Sequence, residues 1–414
     1  MSLLSSLAQT GEAATSDGQP RPNADQFSVK HDGSVFEIDG FLTEQTFDEL
    51  LRWSGDRKAS DIRIQTDMPV IIDSGGEKVK VTRRPIGQSE IETIIRYVYG
   101  DHGGGMLIKG DDLDPSHEVR MGRLGIRRYR VNLTSIRIPG GRGVSITIRT
   151  LPTTPPLLDT LGIEPEIRAN LRPHQGMILV TGPTGSGKST LLASIIRDIA
   201  EKPDAHATIL EYSSPIEYVY DGLDTPTCVI AQTEVGRHLR NSDDESMGGQ
   251  YAYAVRNSLR RKPEIILIGE ARDKATIEAA VEASLTGHLL YSTMHVIGVA
   301  ETLRRVVQPF EPQNREAMAV DIMQSLRMVV TQLLYPRRGG GRVACREYAV
   351  FDNQTRGKFL NRHPNEWPAF ARKLMAEKRI PCQTMAQGAW KLFRDKQLTA
   401  DTYKGIVASE RDSA

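Results

Sequence analysis

Eight consecutive residues near the middle of the chain have the types and spacing that bind phosphate groups. They match the pattern G-x-x-x-x-G-K-[ST] and are Gly182, Pro183, Thr184, Gly185, Ser186, Gly187, Lys188 and Ser189. The glycines permit a tight loop whose amides point at phosphate oxygens. The Lys188 ammonium can reach the β- and γ-phosphates of a nucleotide, and the Ser189 hydroxyl can ligate Mg²⁺. The chemistry indicated is phosphoryl transfer from a nucleoside triphosphate.

The residues on either side predict the elements that such a loop needs. The apolar run 177–181 predicts a strand before the loop, and residues 190–200 predict a helix that begins at Thr190. The N-terminus of that helix adds partial positive charge beside the phosphates. A chance glycine-rich turn is the alternative, and the flanking strand and helix argue against it.

Two glutamates are candidates for the metal and the attacking water. Glu270 follows the aliphatic strand 265–268, where a carboxylate can act as general base; the alternative is a solvated cap for the helix that starts near Lys274. The usual Asp-Glu ending of such a strand is Gly-Glu here. Glu217, in Ser-Ser-Pro-Ile-Glu after another candidate strand, can stand near Mg²⁺ or the water.

Two histidines flank the predicted strand 289–293. His288 lies at its start, His295 lies just beyond its end, and Thr293 is its last residue. A γ-phosphate sensor needs a hydrogen-bond donor, which a neutral His or a Thr provides. The positions of the two histidines do not distinguish a sensor from a residue with a purely structural role.

Eight arginines between residues 120 and 149 stand without any Asp or Glu among them. We call this set the arginine belt: Arg120, Arg123, Arg127, Arg128, Arg130, Arg137, Arg142 and Arg149. Period-two alternation places Arg128 and Arg130 on one face of a strand. Three interpretations are open: arginine fingers acting on a neighbouring subunit's ATP, a nucleic-acid track, or a solvated face. Only Tyr129 is available for base stacking, which weakens the nucleic-acid interpretation.

Composition restricts the class of protein. The 414 residues carry 53 Lys+Arg against 52 Asp+Glu, which argues against a uniformly basic nucleic-acid coat. No apolar run approaches the roughly 20 residues of a membrane span. The N-terminus has no secretory pattern, and Cys228, Cys345 and Cys382 have no metal-ligand spacing, so we expect a cytoplasmic protein with three inert thiols.

The order of predicted strands and helices along the chain predicts its domains. Alternating strands and helices after the proline-rich linker indicate βαβ units around a parallel sheet, and the region from Pro309 onward is predicted to be mostly helical, with a hairpin turn at 339–342. The predicted order is a disordered tail (1–35), an α+β domain (36–150), a linker (151–157), a P-loop ATPase domain (158–350) and a helical region (351–414).

Several motifs, in this order, resemble those of the PilT-like secretion ATPases. Besides the phosphate loop they are Ala59–Ile64, Arg128–Asn132, Ser214–Tyr218, Arg261–Asp273, Leu285–His288 and Ser292–His295. Pro152–Pro156, Pro215–Asp221 and Gly298–Arg305 are most similar to the DotB/TraJ branch, which serves type IVB secretion and conjugative plasmid transfer. The resemblance covers roughly residues 40 to 350.

The resemblance implies an α/β fold with a PAS-like N-terminal domain, a RecA-like ATPase domain and trailing helices. It implies a homohexamer that uses ATP and Mg²⁺, with Gly182–Thr190 binding the nucleotide and Ser189, Glu270 and Glu217 near the metal. It assigns Arg130 and Arg149 as arginines that approach nucleotide phosphates, and His288, Thr293 and His295 to the His box. Relatives usually carry an acid where this chain has Ser213. Either Glu217 acts alone or Glu211 substitutes through a strand shift.

The implied function is a cytoplasmic motor, peripheral to the inner membrane of a Gram-negative bacterium, that docks on a type IVB secretion or conjugation complex. No direct nucleic-acid contact is expected. The alternatives are a type IV pilus retraction motor, a DNA-binding translocase that uses the arginine belt, and a non-catalytic assembly platform.

Overall fold

The computed structural model of the chain describes residues 35–74, 76–122, 125–244 and 246–412. The predicted tail, apart from Val35, and Arg123 of the arginine belt lie outside these residues. The chain divides into two compact units. The first contains the residues up to Leu113 together with 131–150, and the second contains 114–130 and everything from Leu151 onward.

The N-terminal region combines an antiparallel sheet with helices; β4 and the first part of β5 belong to the second unit and the other strands of this sheet to the first. On β1, Ile62 and Ile64 are buried while Arg63 and Gln65 are partly exposed, which is the period-two pattern of a strand with one apolar face. The six strands of this sheet, in the spatial order β3-β2-β1-β6-β5-β4, are β1 (Asp61–Gln65), β2 (Ile71–Ser74), β3 (Glu77–Lys80), β4 (Ser116–Met121), β5 (Gly125–Ile138) and β6 (Gly141–Leu151). The helices are α1 (Glu44–Asp56), α2 (Gln88–Tyr99) and α3 (Gly103–Lys109).

An eight-stranded sheet forms the centre of the second unit. Its spatial order is β14-β13-β12-β7-β11-β10-β8-β9, and the six strands from β12 to β9 run parallel. The strands are β7 (Gly176–Thr181), β8 (Ala207–Ser213), β9 (Cys228–Glu234), β10 (Ile265–Ile268), β11 (Leu289–Met294), β12 (Leu326–Pro336), β13 (Arg342–Val350) and β14 (Cys382–Gln383). The mixed α/β class with a parallel sheet is therefore confirmed.

Helices cover both faces of this sheet because side chains alternate along each strand. On β7, Met177 and Leu179 join one buried cluster, and Ile178 and Val180 join the other. The helices are α4 (Pro165–Ala169), α5 (Lys188–Ala200), α6 (Met247–Ser258), α7 (Lys274–Leu285), α8 (Val299–Val307), α9 (Pro312–Ser325), α10 (Asn353–Leu360), α11 (Trp367–Ala376), α12 (Met385–Arg394) and α13 (Ala400–Asp412). Short 3₁₀ turns lie at Leu158–Leu161, Leu259–Arg261 and Pro364–Glu366.

The region after Pro309 is mostly helical and contains a hairpin, as predicted. The hairpin around residues 339–342 is confirmed, but its two strands, β12 and β13, are 11 and 9 residues long, and β12 pairs with β7 inside the central sheet. The length of these two strands and the pairing of β12 with β7 were not predicted. The alternation of apolar and polar residues on these strands is broken by buried polar side chains such as Gln332 and Arg346, which hides them from a periodicity search.

The three cysteines are free thiols in the second unit. Cys228 and Cys345 are buried, and Cys382 is partly exposed. Burial raises the pKa of Cys345 to about 12 and that of Cys382 to about 11. In the part of the chain that the structure describes, no helix has the length and apolarity needed to cross a bilayer.

Candidate functional site

The phosphate loop connects β7 to α5 at the carboxyl edge of the parallel sheet, where open α/β folds bind ligands. Gly182 has φ +144°, and a Cβ there would lie 2.4 Å from the backbone oxygen of Gln332. Only glycine fits this position. Gly185 (φ +75°) faces open space, and Pro183 and Thr184 are exposed, so the outer part of the loop is accessible to a ligand.

The Lys188 side chain folds back over the loop. Its Nζ donates to the carbonyl oxygens of Gly182 (3.0 Å) and Pro183 (2.9 Å). Burial lowers the pKa of Lys188, while the carboxylates of Glu270 and Glu217 act in the opposite direction. Both predicted acids therefore lie close enough to the Lys188 ammonium to influence its charge.

The hydroxyl groups of the loop differ in their partners. Ser186 Oγ is buried without a hydrogen-bond partner, Ser189 is partly exposed, and Thr190 Oγ1 lies 2.9 Å from the hydroxyl of Tyr218. Thr190 is thus tied to the segment that carries Glu217. The free Ser186 hydroxyl, the open Gly185 and the Lys188 ammonium form a donor set that fits a polyphosphate.

Glu270 is held at the site by the neighbouring strand β11. Thr293 Oγ1 donates to the Gly269 carbonyl (2.6 Å), and the Ala271 amide donates to the Thr293 carbonyl (2.9 Å). These two bonds fix the backbone on both sides of Glu270. His295 Nε2 lies 4.0 Å from Glu270 Oε1, so the structure brings Glu270, Thr293 and His295 together.

His288 is not part of this group. It precedes β11, and its carbonyl accepts from the Gly176 amide at the start of β7, whereas the phosphate loop follows the end of β7. Its Nδ1 lies 3.0 Å from the Ala283 carbonyl at the end of α7. Since β7 and β11 are parallel, His288 stands at the sheet edge opposite the phosphate loop of its own chain.

Arg128 of the arginine belt shapes the segment that contains Glu217. Its guanidinium, 2 % exposed, donates to the carbonyls of Ile216 (2.8 Å) and Glu217 (3.1 Å) and forms an ion pair with Glu118 (3.0 Å). All of these residues belong to the second unit. Arg128 is therefore a buried structural arginine rather than a solvated or ligand-binding one.

Arg130 and Arg149 of the belt also have acidic partners, and these lie outside residues 120–149. Arg130 donates through Nε to both carboxylate oxygens of Asp114 (2.9 and 3.0 Å), and Arg149 pairs with Asp61 in the first unit (2.9 Å). Hydrogen bonds from Arg130 to Asp114 raise the pKa of the guanidinium, and the nearby Glu217 carboxylate adds to this effect. These belt arginines therefore have acidic neighbours in space although no acid lies between residues 120 and 149 in sequence.

Glu211 and Ser213 share one face of β8. The ladders that join β8 to β9 and β10 are regular, so no strand shift moves Glu211 toward the position of Ser213. Instead, Ser213 Oγ donates to Glu211 Oε1 (2.8 Å), and Gln232 Nε2 donates to Glu211 Oε2 (2.8 Å). Burial raises the pKa of Glu211 to about 7 although both hydrogen bonds lower it.

Sequence reasoning missed two further residues of the site. Gln332 contacts the back of the phosphate loop from β12, and Tyr218 bonds Thr190. Tyr218 lies beside Glu217 in a motif already noted, so its position was a usable signal. Nothing local marks Gln332, because its contact with the loop arises from strand pairing between distant segments.

The chain is similar to known proteins over most of its length. A family model described as "Type II/IV secretion system protein" matches residues 120–387. The chain belongs to this family. It is also 32 % identical over 302 residues to the type IV pilus retraction ATPase PilT of Pseudomonas aeruginosa, covering 73 % of this chain and 81 % of PilT.

Two solved structures of the same type show the fold along nearly the whole chain. The Legionella pneumophila ATPase DotB superposes with a TM-score of 0.83 at 40 % identity, covering 91 % of this chain and 99 % of that protein. The Yersinia pseudotuberculosis ATPase DotB superposes with a TM-score of 0.72 at 27 % identity, covering 92 % and 96 %. The predicted likeness to PilT-like ATPases near the DotB branch is confirmed, and this secretion ATPase is a P-loop enzyme that uses a nucleotide.

The donor set also indicates what could hold a metal in this secretion ATPase. Among the residues that the structure describes, no three His, Cys, Asp or Glu side chains cluster as a metal site. Mg²⁺ is commonly held by one or two protein groups together with substrate phosphates. Ser189, with Glu217 and Glu270 nearby, fits that mode better than an all-protein cage.

Proposed function

We propose that this ATPase is the motor of a type IVB secretion or conjugative transfer apparatus. The observation that carries the proposal is the likeness to the Legionella pneumophila ATPase DotB, at 40 % identity across 91 % of this chain. The motifs Pro152–Pro156 and Gly298–Arg305, which resemble the DotB/TraJ branch, support the same assignment. The motor would work as a homohexamer docked on the cytoplasmic side of the inner membrane.

Glu270 is the residue we assign as general base in hydrolysis. Its carboxylate accepts a proton from the water that attacks the γ-phosphate, and its backbone is fixed on both sides by Thr293. His295, 4.0 Å from that carboxylate, is placed to orient Glu270 or to sense the γ-phosphate. Lys188 stabilises the charge that develops on the phosphate oxygens.

Mg²⁺ is the metal that this donor set fits. When bound, it would neutralise charge on the β- and γ-phosphate oxygens. The Ser189 hydroxyl would be its protein ligand, and Glu217 and Glu270 would hold the water around it. Arg128 keeps Glu217 in place through the two carbonyls to which it donates.

Arg130 and Arg149 are the arginines we assign to a neighbouring subunit's nucleotide. Each forms an ion pair with an aspartate within its own unit, so this role requires an exchange of partner from Asp114 or Asp61 to a phosphate. Their side chains, 42 % and 66 % exposed, are accessible enough for the exchange.

Gene deletion in the host bacterium tests the transport role. The strain is complemented either with the wild-type chain or with the Glu270→Gln variant, and conjugative or effector transfer is measured beside surface motility. Transfer that requires the wild-type chain, with motility unchanged, supports the proposal. Normal transfer in the deletion strain contradicts it.

A type IV pilus retraction motor is the second candidate. It is favoured by the match to the Pseudomonas aeruginosa retraction ATPase over 73 % of this chain. Loss of surface motility with normal transfer in the same deletion strain would select this function instead. Both candidates share the ATPase chemistry, so purified protein does not discriminate between them.

A further inference from the structure

Gln332 supports the phosphate loop from behind. Its Nε2 donates to the Ser186 carbonyl (2.7 Å), and a Cβ on Gly187 would lie 3.0 Å from the same nitrogen. The side chain is 3 % exposed. Because the Ser186 carbonyl points back at Gln332, the peptide group that carries it is held in one orientation, and the loop amides that follow are held with it.

Arg346 fixes the orientation of the Gln332 amide. It lies directly opposite Gln332 in the β12–β13 ladder, and its Nε donates to Gln332 Oε1 (2.8 Å). A guanidinium can only donate, so Oε1 must face Arg346 and Nε2 must face Ser186. Arg346 is 1 % exposed, which leaves no solvent to replace this bond.

The other guanidinium nitrogens hold the segment that enters the second unit after the proline-rich linker. They donate to the carbonyls of Leu161 (3.0 Å) and Gly162 (3.0 Å) and to the Glu164 carboxylate (3.2 Å). Gln383 Nε2, on β14, donates to the Arg346 carbonyl (2.9 Å). The Arg346 side chain therefore connects the phosphate loop, through Gln332, to the segment that follows the proline-rich linker, and the Arg346 backbone carbonyl connects to β14.

We propose that Arg346 is a positioning residue for ATP hydrolysis, acting through Gln332 to hold the Ser186 peptide group so that the loop amides face the phosphates. This inference rests on the ATPase activity of the family and not on the transport role proposed above. Neither residue touches the nucleotide in this assignment. Their effect is on loop geometry and hence on nucleotide affinity and turnover.

The test compares two variants with a matched control in the full-length protein. Gln332→Met keeps the side-chain volume but loses both the donor to Ser186 and the acceptor for Arg346 Nε. Arg346→Lys keeps the positive charge but loses the planar guanidinium with its several donors. Tyr348→Phe is the control. Tyr348 lies two residues from Arg346 on β13 and bonds Glu166 (2.8 Å), just beyond the segment that Arg346 holds, without contacting the loop.

Three quantities are measured: KM and kcat for ATP, the affinity for a fluorescent ADP analogue, and the thermal midpoint. We expect Gln332→Met to lower kcat/KM and ADP affinity about tenfold, the size expected for one lost buried hydrogen bond. Its thermal midpoint should fall further than that of Tyr348→Phe, because Arg346 Nε and the Ser186 carbonyl both lose a buried partner. The kinetics are therefore measured well below every midpoint, where all the proteins are folded and Tyr348→Phe keeps wild-type kinetics. Wild-type kinetics in Gln332→Met, or an equal kinetic loss in Tyr348→Phe, would overturn the proposal.

The double variant Gln332→Met/Arg346→Lys supplies an independent check. If Arg346 acts on the loop only through Gln332, the double variant is no slower than the slower single variant. Losses that multiply would show that Arg346 acts by another route and would overturn the proposal. Should Arg346→Lys not fold, the Gln332→Met comparison still decides. A wild-type chain that hydrolyses no ATP in the same assay would contradict the activity itself, which is a separate failure.

Discussion

Ser213 Oγ donates a hydrogen bond to the carboxylate of Glu211, at 2.8 Å, on the same face of β8. The serine that replaces the acid expected from the family resemblance is thus a partner of a buried acid two residues earlier. Two carboxylates at these positions would face each other without solvent. The serine at position 213 and the buried acid at position 211 therefore depend on each other in this chain.

Replacing Glu211 by Gln should change how stability depends on pH. The carboxyl has a pKa of about 7 in the folded chain against 4.5 ordinarily, so it binds a proton on folding. Its contribution to the free energy of unfolding is full below about pH 4.5 and is lost as the pH rises through about 7. Between pH 5.5 and 7.5 we expect wild type to lose about 2 kcal/mol more than Glu211→Gln, measured by urea unfolding. Equal losses would contradict the raised pKa.

Introducing an acid at position 213 should destabilise the chain. In Ser213→Asp, two carboxyls compete for one buried space, which we expect to cost about 3 kcal/mol or more of unfolding free energy at pH 7.5. The loss should be partly reversed in Ser213→Asp/Glu211→Gln, because an amide can donate to the new carboxylate. Denaturant unfolding of the four proteins forms a double-mutant cycle. A coupling energy near zero would refute the linkage.

Glu270→Gln should separate binding from turnover. The amide keeps the size of the side chain but cannot take a proton, so we expect kcat to fall by about 10² to 10⁴ with nucleotide affinity retained. Glu264→Gln is the matched control, since Glu264 lies at the opposite end of β10, where its carboxylate accepts from the Thr208 amide. Phosphate release and fluorescent-nucleotide binding are measured on both. Wild-type turnover in Glu270→Gln would remove it from the mechanism.

Arg130→Ala and Arg149→Ala test the arginine fingers. If either guanidinium reaches a neighbour's phosphates, assembled protein should lose turnover on the order of 10³-fold. Arg137→Ala is the control, because Arg137 is an exposed arginine on the same strand as Arg130. Sedimentation must show the same assembly state for all three variants. Unchanged turnover would leave the ion pairs with Asp114 and Asp61 as the only role observed for these arginines.

Local pattern was enough to locate Lys188 and Glu270, because the loop, its strand and its helix are contiguous and each has a distinct periodicity. It was not enough for Gln332 and Arg346, whose positions depend on β12 pairing with β7 across distant segments. His288 illustrates an inference that was available from topology. Because β7 and β11 are parallel, both strands begin at the same edge of the sheet. His288, just before β11, therefore lies at the edge opposite the phosphate loop, which follows the end of β7.

The arginine belt shows a second limit of local sequence. The absence of acids between residues 120 and 149 suggested exposed positive charge, but Arg128, Arg130 and Arg149 find partners at Glu118, Asp114 and Asp61. Antiparallel pairing brings those acids beside the belt: Arg128 faces Glu118 across β4–β5, and Arg149 faces Asp61 across β1–β6. A stretch of sequence without acids can therefore still have acidic neighbours in the folded chain, because the adjacent strands come from other segments.

The raised pKa values of Cys345 and Cys382 have a practical consequence for labelling this ATPase with fluorescent dyes. Thiolates, not thiols, attack maleimide dyes, so these two side chains are nearly inert toward labelling at neutral pH. Cys228 is buried as well. Fluorophores can therefore be attached at introduced surface cysteines without prior removal of the native thiols.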